Sequence, residues 1–146
     1  MIAIINGPNL NCLGLRQPEI YGTESFESYY SSLCFEFSDM DLSYFQTNSE
    51  GEIIDIIQKL GFHSLDCRGI VINPGAYSHY SYAIADAISS IKLPVVEVHI
   101  SNIASREEFR NKSVTGARCK GIISGLGLKG YDLAISYLRS FDDARS

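Results

Sequence analysis

Short, wholly apolar runs alternate with amphipathic stretches along this chain. Ile2 to Ile5 is unbroken apolar and stops at Asn6-Gly7-Pro8. Phe26, Tyr29, Tyr30, Leu33 and Phe37 then recur at helical spacing. Leu42 to Phe45 is the next extended candidate. Ser49 followed by Glu52 is a capping-box pattern, and Ile53, Ile56, Ile57 and Leu60 continue from it on one helical face until Gly61. Gly69-Ile70-Val71-Ile72 reads as a strand ending at Asn73-Pro74-Gly75. Ile84, Ala87 and Ile91 mark a third helix, and the β-branched run Val95 to Val98 ends at His99. Ser105 with Glu108 is a second capping box and predicts a short helix there. Ile122-Ile123 precedes a glycine-rich turn, after which Tyr131, Ala134, Ile135 and Leu138 form the last helical face.

Strands written as continuous apolar runs, with no polar alternation, are buried on both faces. Joined by helices, they imply right-handed crossovers and a parallel sheet covered on both sides. The pattern therefore predicts about five βα units in a three-layer α/β sandwich, with the flavodoxin-like strand order 2-1-3-4-5. At 146 residues the chain is read as one domain over residues 1–146.

Composition narrows the function classes. Residues are 45% hydrophobic and 20% charged, which excludes wholesale disorder. Twelve basic against seventeen acidic residues give a net charge of −5. Nucleic-acid binding driven by counterion release needs a basic face, so no nucleic-acid partner is expected. A small anionic ligand would have to be held by a local positive pocket working against the overall field. The first apolar run is too short for a signal peptide, and no segment approaches the ~18 apolar residues of a membrane span; a cytoplasmic protein without a membrane partner is expected. Cys12, Cys34, Cys67 and Cys119 show no metal-ligand spacing and are read as reduced thiols.

The unusual residues cluster where strands end. Asn6 to Asn11 follows the first strand, Asn73 to His79 the third, and His99 to Asn102 the fourth. In an open parallel sheet, ligands bind outside the carboxyl ends of strands near the point where strand order reverses, so these clusters converge on one crevice. The long connection from Gly7 to Ser25 carries Arg16 and Tyr21 on a segment able to close over it. A guanidinium beside a phenol favours the phenolate, and a tyrosinate can serve as a general base; a surface tyrosine beside a solvated arginine is the bland alternative. His99 shares a strand face with Glu97, an arrangement that suits a general acid as well as a structural histidine. His79 follows a Pro-Gly turn and is equally open, and His63 reads as structural.

Two decoys compete. Gly125-x-Gly127-x-x-Gly130 is a literal dinucleotide fingerprint, but it lies in the last βα unit, and the acidic residues that follow, Asp142 and Asp143, are not at the end of a strand. It is read as a tight turn. A hydrolytic triad from Ser78 or Ser81 with His79 and Asp86 lacks a nucleophile elbow. A non-catalytic binding module on the same scaffold would require a broken acid or base, yet Tyr21 and His99 are both present.

NGPNLNCLGLRQPEIYG, INPGAYSHYSYAIADAI, VEVHISN, REEFR and GLGLKGY occur in this order between about Ile2 and Leu138. Together they resemble type II 3-dehydroquinate dehydratase, the small dehydroquinase of the shikimate and quinate pathways. The resemblance implies an anti-elimination of water from 3-dehydroquinate through an enolate, giving 3-dehydroshikimate, with no cofactor and no metal. It implies Tyr21 as base, Arg16 as the lid arginine that keeps it ionised, and Asn9 as holder of the water that stabilises the enolate. It implies His99 as the acid that protonates the departing hydroxyl, supported by Asn73 and Glu97. Main chain at Ile100 and Ser101 would receive the substrate carboxylate, while His79 and Arg110 would bind hydroxyls. Asp86 matches an aspartate that reaches the neighbouring subunit's site, since the family forms trimers assembled into dodecamers. One stretch departs from the family: where it usually has a histidine-serine-tyrosine pattern and then a serine-proline turn, this chain has Asn111-Lys112-Ser113-Val114-Thr115-Gly116-Ala117-Arg118. The resemblance therefore implies neither the conformation of that segment nor the subunit contact it makes.

Overall fold

Residues 1–143 are described by the computed structural model, apart from the side chains of Tyr21, Asp142 and Asp143. Five strands, β1 (Ile2–Asn6), β2 (Leu42–Gln46), β3 (Gly69–Asn73), β4 (Val95–His99) and β5 (Gly121–Ser124), form one sheet in the order β2-β1-β3-β4-β5. Every pairing is parallel, with Ile2 opposite Leu42 and Gly69, Ile70 opposite Val95, and His99 opposite Ser124. The expected architecture and strand order are thus present.

Because side chains alternate across a strand, each unbroken apolar run feeds two cores. Ile2, Ile4, Val71, Val96 and Val98 face α2 (Phe26–Glu36) and α5 (Lys129–Asp143), where Phe26, Leu33, Tyr131 and Ile135 complete the packing. Ala3, Ile5, Ile70, Ile72 and Val95 face α3 (Glu50–Gln58) and α4 (Tyr82–Ser90), against Ile53, Ile57, Ile84 and Ile88. Removing one such aliphatic side chain from water is worth about 1.5–3 kcal/mol, so a polar residue in β1 or β3 would be resisted from either face.

The Ser49 pattern caps α3 by half. Its hydroxyl accepts the Glu52 N–H at 3.2 Å, but the Glu52 carboxylate accepts from Thr47 Oγ1 instead of returning to Ser49. The Ser105 pattern opens no α-helix. Two single 3-10 turns, Ile103–Ser105 and Glu108–Arg110, occupy the stretch. Ser105 Oγ donates to the Asn102 carbonyl at 2.9 Å, and it is Asn102 Oδ1 that caps, accepting Ala104 N–H at 3.1 Å. No apolar face recurs at helical spacing after Ser105, so the cap has nothing to start. Among the described residues the β4-to-β5 connection therefore holds no α-helix, and four long helices flank the sheet in place of the expected one per strand.

Between β1 and α2 the chain is pinned by buried Leu10 and Leu13 and re-enters the core at Phe26. Leu15 to Ile20 and Gly22 to Glu24 are exposed, and the segment contains one short helix, α1 (Pro18–Tyr21). A flap anchored at both ends and exposed between them is the structure expected of a movable cover.

Candidate active site

The carboxyl ends of β1, β3 and β4 open onto a cavity of about 190 Å³. Asn9 borders it after β1, Asn73 and His79 after β3, and His99, Ile100 and Ser101 after β4; Arg16 enters from the flap and Arg110 from the β4-to-β5 connection. Three sequence clusters thus meet in one crevice, as the topological switch between β1 and β3 requires. Among the other expected residues, Glu97 lies behind His99, and Asp86 does not border this cavity. Asp86 is exposed on α4 and borders a separate concavity with Tyr82 and Lys112. The backbone of Tyr21 ends α1, while its side chain lies outside the described residues.

His99 and Glu97 are both buried, and His99 Nε2 meets Glu97 Oε2 at 2.8 Å. Residues two apart on β4 project to the same face, which is why this pair was legible from spacing. The carboxylate has two further partners that spacing did not reveal: Thr115 Oγ1 donates to Glu97 Oε1, and Ser113 Oγ to Oε2. His79 Nδ1 lies 2.7 Å from the Lys112 carbonyl, and the two imidazoles stack with centroids 6.4 Å apart and planes 22° apart.

Asn73 is fixed on both sides of its amide. Its Oδ1 accepts Gly75 N–H at 3.2 Å, and its Nδ2 donates to the Tyr131 hydroxyl at 2.9 Å. Asn9 adopts a left-handed backbone, φ 69°, and its N–H donates to Asn48 Oδ1 at 3.1 Å, so β2 and β1 together shape that wall. Left-handed φ is tolerated by asparagine far better than by branched residues, a local reason for this residue type here.

Past β4, the Ile100 carbonyl accepts Gly127 N–H at 3.0 Å, and the Ser101 carbonyl accepts Ser124 Oγ at 3.1 Å. These contacts give the Gly-x-Gly-x-x-Gly stretch its role. Gly125, at φ 88°, lets the turn fold back over the end of β4, and its N–H reaches the His99 carbonyl at 3.2 Å. The glycines brace the site loop.

One charged cavity residue was missed. Arg106 borders the crevice, and its NH1 donates to Ser101 Oγ at 3.2 Å. The signal was present, since two arginines flank the Glu-Glu-Phe stretch, but the capping pattern drew the segment into a helix that does not form. With Arg16 and Arg110, it puts three guanidinium groups on the wall of a cavity in a chain of net charge −5. Arg110 is half-exposed, with Nε 3.8 Å from Glu107 and its guanidinium over the Phe109 ring.

A parallel α/β sandwich whose switch-point crevice holds a carboxylate-backed imidazole among arginines is suited to acid–base chemistry on a small anion. The chain belongs to the class II dehydroquinase family, whose family model matches residues 1–139. It is 49% identical over 144 residues to the 3-dehydroquinate dehydratase of Caldicellulosiruptor bescii, covering 97% of this chain and 98% of that one. It is 51% identical over 140 residues to that of Bacillus subtilis strain 168, covering 94% and 92%. Among solved structures, the type II dehydroquinase from Butyrivibrio crossotus superposes with a TM-score of 0.88 at 50% identity, covering 94% of this chain and 96% of the other.

Proposed function

We propose that this chain dehydrates 3-dehydroquinate to 3-dehydroshikimate by acid–base chemistry carried on its own side chains. The observation that carries the reading is His99: buried, braced by Glu97 at 2.8 Å, and bordering the same cavity as the arginines. The Tyr21 phenolate removes a proton from the carbon next to the ketone, and the electron pair moves onto the carbonyl oxygen as an enolate. Arg16 favours the phenolate by its charge. A water held by Asn9 stabilises the enolate oxygen. Collapse of the enolate forms the carbon–carbon double bond and breaks the bond to the hydroxyl, which takes a proton from the His99 imidazolium and leaves as water. With Nε2 engaged by Glu97, Nδ1 is the nitrogen that gives up this proton.

The substrate carboxylate sits against main chain at Ile100 and Ser101, with Arg106 steadying Ser101. His79 and Arg110 hold hydroxyls, and the Asn73 amide completes the wall. Asp86 acts on a neighbouring subunit's site within trimers that build a dodecamer, a reading supported by its exposed position on α4 away from its own crevice. The protein works in the cytoplasm. No described helix is long and apolar enough to cross a membrane.

Purified protein mixed with 3-dehydroquinate and a chelator should show rising ultraviolet absorbance as the conjugated product forms. Tyr21→Phe should abolish nearly all turnover while substrate still binds, and Arg16→Ala should slow it. Near wild-type turnover in Tyr21→Phe overturns the assignment of the base.

A further inference from the structure

Both active-site histidines are tied to the same short stretch of chain, Lys112 to Thr115, His79 directly and His99 through Glu97, and by different nitrogens. A carbonyl oxygen can only accept, so the 2.7 Å contact with the Lys112 carbonyl puts the proton of His79 on Nδ1. Its Nε2 is left with a lone pair. On His99 the opposite nitrogen is engaged, Nε2 with Glu97 at 2.8 Å.

Whether His99 carries its proton on that nitrogen depends on the state of Glu97, which is fully buried. A protonated acid there could itself donate to an imidazole lone pair and reverse the tautomer. The hydroxyls of Ser113 and Thr115 oppose this. Ser113 Oγ accepts the Gly116 N–H at 2.9 Å, which leaves its hydrogen for Glu97 Oε2, while Thr115 Oγ1 donates to Oε1. With a hydroxyl donor on each oxygen, Glu97 is bonded as a carboxylate, which can only accept. The His99 proton then sits on Nε2, leaving Nδ1 as the atom that exchanges.

The stretch is anchored independently of the histidines. Val114 N–H donates to the Ser78 carbonyl at 2.7 Å, beside His79. Gly116 lies so close behind that a Cβ there would stand 2.8 Å from Glu97 Oε2 and 2.4 Å from Ile122 Cδ1.

We propose that Lys112 to Thr115 is a positioning clamp that sets opposite tautomers on the two histidines, Nδ1–H on His79 and Nε2–H on His99, with Ser113 and Thr115 acting through Glu97. The clamp rests on the reading of His99 as the acid. None of its residues borders the active-site cavity.

The test is nitrogen-15 NMR of histidine-labelled full-length protein together with steady-state kinetics, in wild type, Thr115→Val, Thr115→Ser and Ser113→Ala. Wild-type spectra should show neutral His99 protonated at Nε2 and neutral His79 at Nδ1. Thr115→Val, which removes a hydroxyl without changing volume, should lower kcat about tenfold, the size of a lost hydrogen bond to a charged group, with KM changed by less than about twofold. Its His99 signals should shift toward a mixture of tautomers, and Thr115→Ser should restore both readouts. Should Thr115→Val not fold, Ser113→Ala, at a half-buried position, is expected to show the same kcat loss and shift. Unchanged His99 tautomer and kcat in the soluble variant, or His79 protonated at Nε2 in wild type, overturns the clamp. Wild-type protein inert toward 3-dehydroquinate would overturn the functional reading instead, while the spectra still judge the clamp.

Discussion

The Tyr131 hydroxyl donates to Asn6 Oδ1 across 2.8 Å, joining the last helix to the end of the first strand. The same oxygen accepts Asn73 Nδ2, so one phenol ties together the residues that close β1 and β3. Tyr131 is fully buried, and burial pushes its phenol far above the ordinary tyrosine range. It therefore remains a donor at any pH at which the protein works. The crevice wall is held from below by a helix that does not line it.

Tyr131→Phe keeps the ring and its packing against Phe26 but strands Asn6 Oδ1 and Asn73 Nδ2 in a dry site. Leaving such groups unpaired costs about 1–3 kcal/mol. Urea denaturation should show that loss, and kcat should fall as Asn73 gains rotational freedom. Unchanged stability and rate would mean that the network is not needed to hold the wall.

Gly125 and Gly127 distinguish crowding from backbone strain. Both have left-handed φ, 88° and 61°, but an added Cβ at Gly125 would stand 2.9 Å from Asn102 Cβ, while at Gly127 it meets nothing within 4 Å. Gly127→Ala should cost only backbone strain, about 1 kcal/mol. Gly125→Ala should lose more stability and also raise KM, because it pushes on the loop carrying Ile100 and Ser101. Thermal melts and substrate titration of the two variants separate these effects.

The contact between α2 and α5 should respond to pH. Glu36 is raised above its usual 4.5, first by its hydrogen bond with Asp132 and then by burial and the Asp132 charge. Burial pushes Asp132 up as well, but hydrogen bonds from Glu36, Tyr29 and Lys129 outweigh it and hold the carboxyl below its usual 3.8. For Glu36 the folded state favours the protonated form, so its contribution is present below the unfolded value and is lost as pH rises through the folded one. A Glu36→Gln variant keeps a donor at this position at every pH. It should melt about 1–2 °C higher than wild type near pH 7 and show no gain near pH 4.

The cysteines should differ in reactivity. Cys119 is pushed well above the ordinary thiol range by burial and by nearby Glu97, and Cys67 is raised by burial, whereas Cys34 is exposed. Brief iodoacetamide treatment of the native protein at about pH 8 should label Cys34 and spare Cys67 and Cys119. Peptide mass spectrometry reads this directly, and early labelling of Cys119 would contradict the burial around Glu97.

What could be read in advance was what repeats at short range. The unbroken runs Ile2 to Ile5 and Gly69 to Ile72 declared strands buried on both faces, and with the intervening helical faces they led to the parallel sheet. The pair His99 and Glu97 was visible because residues two apart share a strand face. Ser105 with Glu108 misled because a capping pattern reports only local hydrogen-bonding capacity, and a helix also needs an apolar face to bury.

By itself, then, the sequence determined the layers and the strand ends where the chemistry collects, since these follow from backbone periodicities of two and 3.6 residues and from chain connectivity, while the strand order was the usual one for a doubly wound sheet of this length. Only the tertiary structure decided that Arg106 borders the crevice, that Asp86 does not, that Ser113 and Thr115 saturate Glu97, and that Tyr131 braces Asn6 and Asn73. Hydroxyl and guanidinium contacts of this kind have no periodicity. They join residues as far apart as Asn6 and Tyr131, 125 positions along the chain, and come into being only when packing brings those elements within hydrogen-bond reach.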